Sequence, residues 1–203
     1  MNCLAKQNSS ERSFCLQQRA IVHPFVSKEA LTPTEAESRF AFIYETYHKR
    51  IYNYIAYRVN CHFTAEDLTS QVFERTFIKI GTYSENKSPF EVWLFAIARN
   101  TVNDYYRSLK SSRLFSLTGL KELVSGKKSP ESLIIEGEFN DQLQQALQSL
   151  NARERNMIAL KFGAELKHTQ ISELLGISEN NVGIILFRTM KKLRKLLGSV
   201  ESE

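Results

Sequence analysis

Between Arg188 and Lys195 the chain places five cations, Arg188, Lys191, Lys192, Arg194 and Lys195, in eight residues without an acid. Such a run can neutralise a row of phosphates, and at the end of a helix it also complements the carbonyl pole of the dipole. Just ahead stand Ser178, Glu179, Asn180 and Asn181. They supply a hydroxyl able to cap a helix and then side chains able to hydrogen-bond base edges. A second group lies in the first half, where Arg99, Asn103 and Arg107 recur every four residues. That spacing puts them on one helical face, in reach of successive phosphates or bases. Tyr83, in the loop 82–87 that precedes them, offers a ring on which an unstacked base can rest, whereas Trp93 falls at the spacing of a core residue. A third group, Asp67, Ser70, Gln71 and Glu74, steps by three and four residues to make a polar, partly acidic stripe. Such a stripe can dock on a basic helix or serve as a solvated face.

Catalytic chemistry finds no such support. The sequence holds no Ser/His/Asp or Cys/His set and no glycine loop for phosphate, so no catalytic residues are expected and the chain reads as a non-enzyme. Cys3, Cys15 and Cys61 are odd in number and widely spaced, which fits neither a disulfide framework nor a zinc site. Cys61 and His62 are adjacent but lack two further ligands nearby, so neither a metal nor a cofactor is expected. His48, His62 and His168 read as surface residues.

The 203 residues are 42% apolar and 24% charged, enough to bury a core. Their net charge of +5 and isoelectric point near 9.1 favour an anionic partner. No signal-peptide pattern and no run of about 18 apolar residues occurs, so a cytoplasmic protein is expected. The periodicity is helical throughout and predicts an all-α fold of two small helical domains joined by a flexible linker. Residues 1–33 read as a leader. In 34–108, helices start at the Thr34/Glu37 box, the Thr64/Asp67 box, and Ser88 with Pro89 in the first helical position. Their apolar stripes run from Phe40 to Ile55, Ala65 to Ile80 and Phe90 to Tyr105. Residues 109–131 have the composition of a basic linker. In 132–198 a helix from Ser132 to Leu150 precedes one opened by Asn151 and Glu154. A short helix through Gln170, Ile171 and Leu174 then turns at Gly176 into a longer one carrying Val182, Leu186 and Leu193. Two helices about a small-residue turn form a helix-turn-helix, whose second helix reads the major groove. Residues 199–203 are a tail.

Leu150 to Arg155, Ile171 to Ser178 and Val182 to Arg194 resemble region four of the sigma-70 family, which implies binding of the −35 promoter element through residues 178–181, Arg188, Lys191 and Lys192. Gly183, Ile184 and Ile185 depart from it, standing where many relatives carry polar or basic side chains. Ala65-Glu66-Asp67-Leu68 with Phe73 and Phe77 resembles region two of the extracytoplasmic-function (ECF) sigma factors. The resemblance implies that Asp67, Ser70, Gln71 and Glu74 meet the clamp helices of RNA polymerase. Phe90 to Asn100, with Asp104 and Arg107, is similar to the segment that binds and opens the −10 element, which adds Asn100 to Tyr83, Arg99, Asn103 and Arg107 there. The implied partners are core RNA polymerase, promoter DNA and an anti-sigma factor, with no stable homo-oligomer. Two other readings use the same residues: a stand-alone helix-turn-helix regulator that does not bind polymerase, and an adaptor that binds polymerase without reading DNA.

Overall fold

The computed structural model describes residues 33–59, 61–116 and 141–198. The expected leader apart from Pro33, the tail 199–203, Cys3, Cys15, the linker from 117 and the predicted helix from Ser132 to 140 lie outside the described residues. What is described is helical, without a strand.

The first three helices are α1 (Pro33–Arg58), α2 (His62–Lys79) and α3 (Phe90–Ser116). Each buries the face its periodicity marks: Ile43, Tyr47, Ile51, Tyr54 and Ile55 on α1, Ala65, Leu68, Val72 and Phe73 on α2, and Phe90, Leu94, Ile97 and Val102 on α3. Tyr44, expected in the α1 stripe, is 44% exposed and lies with its ring 4.8 Å from Phe73. Buried threonines satisfy themselves within their own helices. Thr69, Thr76 and Thr101 donate to the carbonyls of Ala65, Val72 and Ile97 at 2.7, 2.7 and 3.0 Å.

The helix starts differ from expectation by a residue or two. α1 begins at Pro33, whose fixed φ suits a first turn. α2 begins two residues before Thr64, because His62 is held by the Tyr52 hydroxyl (2.7 Å) and by Glu66 (3.1 Å). Ser88 donates to the Pro89 carbonyl at 3.4 Å, and that carbonyl takes the first helical bond from Trp93 N–H at 3.1 Å. α3 continues to Ser116, so the first residues of the expected linker are helical.

The second group is α4 (Asp141–Gln148), α5 (Ala152–Ile158), α6 (His168–Leu175) and α7 (Glu179–Gly198), with a π-helical turn Ala159–Gly163 continuing α5. The Asn151/Glu154 capping box is formed in both directions, at 2.9 and 3.0 Å. Met157, Leu160, Leu166, Ile171, Val182, Leu186 and Leu193 fill the centre. Rather than standing apart, the two groups share an interface: α1 packs on α5 and the π turn, and α3 packs on α6.

Candidate nucleic-acid interface

Gly176 ends α6 with φ +65° and ψ 36°, a left-handed turn that suits glycine. The Ser178 hydroxyl then accepts from Asn181 N–H at 3.3 Å and opens α7. The helix divides cleanly by burial. Val182, Leu186, Thr189 and Leu193 face inward, while Glu179, Asn180, Arg188, Lys191 and Lys192 are exposed and Asn181 is half-buried. Thus the polar first turn and the cations occur on one accessible helix, as a groove-reading helix requires. Lys192 differs from its neighbours, since its Nζ donates to Glu154 Oε2 at 2.9 Å. This bond ties α7 to the capping box of α5 and holds the Glu154 carboxyl below its ordinary pKa.

On α3, Arg99 and Asn103 are half-buried and Asn100 and Arg107 exposed. Arg107 is paired with Asp104 at 3.1 Å, and Asp104 takes a second bond from Arg75 of α2, also at 3.1 Å. Arg75 reaches Thr101 as well (3.1 Å), so α2 and α3 are cross-linked where the cationic face begins. Asn103 is turned toward Arg58 of α1, 3.5 Å away. Tyr83 is half-buried, its ring 5.2 Å from Phe90 and 5.4 Å from Trp93, and burial raises the pKa of its hydroxyl. Loop and helix thus meet in an aromatic cluster at the α3 N-terminus. Asp67, Ser70, Gln71 and Glu74 are all exposed, on the face of α2 opposite Ala65, Leu68, Val72 and Phe73.

Sequence reasoning missed a polar network between the two helical groups. Arg50 of α1 donates to Glu91 of α3 at 2.6 Å and to the Ala164 carbonyl at 2.9 Å, and Gln170 of α6 donates to the other Glu91 oxygen. Farther along α1, Tyr54 donates to Asn156 at 3.0 Å, and Arg58, only 6% exposed, donates to the same oxygen. Tyr47 lies beside this network and its pKa is pushed up to about 12, by burial first and then by Glu91. Between these polar contacts the backbones nearly touch: a Cβ on Gly163 would stand 2.9 Å from Tyr54 N and Cα. The available signal was the presence of Arg50, Tyr54 and Arg58 at four-residue steps along an otherwise apolar stripe, which placed cations where solvent exposure was limited.

Comparison with known proteins assigns both groups. The model of sigma-70 region 2 matches residues 43–112, covering most of α1 through α3, and that of sigma-70, region 4 matches residues 140–193, covering α4 to most of α7. The chain belongs to the sigma-70 family, among its ECF members. The ECF sigma factor BldN of Streptomyces coelicolor is 33% identical over 159 residues, 78% of this chain and 60% of BldN. SigW of Bacillus subtilis is 30% identical over 171 residues, 79% of this chain and 90% of SigW. In structure, the chain is similar to the sigma factor RpoE of Bartonella quintana, solved with the anti-sigma factor NepR (TM-score 0.62, 19% identity, 78% of this chain and 96% of that one). It is also similar to CnrH, solved with the cytosolic domain of CnrY (TM-score 0.58, 18% identity, 80% and 90%). These two likenesses show the fold.

In this sigma factor, region 2 therefore comprises α1–α3 and carries the acidic α2 stripe and the α3 cations. Region 4 comprises α4–α7 and carries the exposed polar first turn and cations of α7. Among the described residues no helix is long and apolar enough to cross a membrane.

Proposed function

We propose that the chain binds core RNA polymerase and directs it to promoters. Asp67, Ser70, Gln71 and Glu74 dock on polymerase, and Arg99, Asn100, Asn103 and Arg107, with Tyr83, hold the opened −10 element. Ser178 to Asn181, with Arg188 and Lys191, read the −35 duplex, and Lys192 supports that helix through Glu154. The observation that carries this reading is the occurrence, in one chain and in order, of both sigma regions with a polar exposed face on each. A stand-alone regulator has use for the second face alone. Polymerase makes the RNA, so the chain acts as a non-enzymatic, cytoplasmic subunit. The structure of RpoE from Bartonella quintana, solved with the anti-sigma factor NepR, supports an anti-sigma partner here as well.

The test is in vitro transcription from a genomic promoter library, using core polymerase of the source bacterium with and without the chain. New start sites sharing two spaced upstream motifs are expected, and their loss with the Asp67→Ala/Gln71→Ala double variant. Absence of new starts from folded protein, or full regulation by the double variant, overturns the proposal.

A further inference from the structure

Two large apolar side chains stand on the exposed face of α7. Ile184 is 42% exposed and Phe187 is 72% exposed, although Val182, Leu186, Thr189 and Leu193 already fill the inward face of the same helix. At 3.6 residues per turn, Ile184 lies one turn after Asn180, and Phe187 and Arg188 follow it by three and four residues, with Lys191 one turn farther. The apolar pair is therefore enclosed by an amide on its N-terminal side and by cations on its C-terminal side. Single surface hydrophobes are ordinary, but an adjacent pair within a cationic surround, on the face opposite the core, marks a contact. Gly183, where a Cβ would meet nothing within 4 Å, puts no side chain between Asn180 and Phe187.

The cationic surround selects a polyanion, and the groove of a duplex shows one methyl group for apolar side chains to touch, the 5-methyl of thymine. We propose that Ile184 and Phe187 recognise the methyl group of a thymine in the upstream promoter element, making them the apolar specificity determinants of this reading helix. The inference rests on the proposal that α7 reads the −35 duplex. It adds a base and an atom: Asn180 and Asn181 supply hydrogen bonds to base edges, Arg188 and Lys191 hold phosphates, and the Ile184–Phe187 patch distinguishes thymine from bases without the methyl.

The experiment uses holoenzyme assembled from core polymerase and the full chain. Upstream elements are selected from the promoter library, and the selected duplex is remade with each thymine replaced in turn by deoxyuridine, which removes the methyl and keeps the base pair. At one position the replacement is expected to weaken wild-type holoenzyme binding about threefold to fivefold, the effect of one buried methyl. Ile184→Ala or Phe187→Ala should bind thymine and uracil equally there, with unchanged melting temperatures because both side chains are exposed. Ile184→Val should keep part of the discrimination. A wild type indifferent to uracil at every position overturns the inference while leaving promoter recognition intact, as does a uracil penalty that persists in both alanine variants. Self-association abolished by Ile184→Ala, together with uracil indifference, assigns the patch to a second copy and also overturns it. Starts that share no upstream element remove the −35 reading and this inference together, leaving region 2 to be judged on its own.

Discussion

Arg188 and Lys192 are four residues apart on α7, yet their charges have different surroundings. Lys192 is held by Glu154, whereas Arg188 is exposed beside Ile184. Arg188→Ala is expected to weaken promoter binding and to lower the slope of log affinity against log salt by about one unit, the contribution of one neutralised phosphate. An unchanged slope in a salt titration removes Arg188 from the phosphate contacts. Lys192→Ala should alter that slope less and show itself in stability instead. Because the folded protein holds Glu154 below its ordinary value of 4.5, the pair's contribution is complete at neutral pH and fades as the pH falls below 4.5. Thermal melts of wild type and Lys192→Ala should therefore differ by about 0.5 kcal/mol at neutral pH and converge in acid, the size reflecting a partly exposed pair. Curves that stay parallel into acid refute that assignment. Individual side chains of this kind were legible in the sequence as types and spacings, but not as partners. Nothing in residues 188–195 distinguishes the lysine that faces Glu154, because that acid lies 38 positions away in the chain.

Elements were legible where their rules are local. The Asn151/Glu154 box, the Gly176 turn and the Ser178 cap are each fixed by residues within four positions, and each is formed as its residue types dictate. Starts set by tertiary contacts were not legible, as at α2, where the His62 bond to Tyr52 joins two helices before Thr64 is reached. The π turn had no signature either. It widens the end of α5 so that Gly163 can meet the backbone of α1, a demand that comes from the neighbouring helix. The Gly176 turn makes the sharpest prediction at this scale. An alanine there must adopt φ near +65° with nothing crowding its Cβ, so the cost is conformational alone. Gly176→Ala should lose about 1 kcal/mol, or roughly 2–4 °C in Tm, and Gly176→Asn less, since asparagine tolerates the left-handed region. Equal losses for the two, measured by calorimetry, show that the left-handed turn is not what glycine supplies.

Across the whole molecule, regions 2 and 4 are joined by polar bonds from Arg50, Arg58, Glu91, Asn156 and Gln170, and by the Gly163 contact. Sequence separation hid this junction, for Arg50 and Ala164 are 114 positions apart. A compact unit of the roughly 140 described residues has a radius of gyration of roughly 14 Å and so spans roughly 40 Å. The −10 and −35 elements are about 25 base pairs apart, roughly 85 Å of duplex. One rigid body of that size cannot hold both, so reading a promoter requires the two regions to separate, and the junction must be strong enough to form yet weak enough to open. The polar network eases opening, because water can replace its bonds once the faces part. Glu91 is its centre, accepting from Arg50 and Gln170 through different oxygens. Glu91→Ala leaves the Arg50 guanidinium, 19% exposed, without its carboxylate and should weaken the junction by about 1 kcal/mol, whereas Glu91→Gln keeps an acceptor and should fall between. The expected readout is a larger radius of gyration for Glu91→Ala than for wild type in small-angle X-ray scattering, with faster assembly onto core polymerase because less of the closed form must open first. An unchanged radius together with an unchanged assembly rate would show that Glu91 does not hold the two regions together.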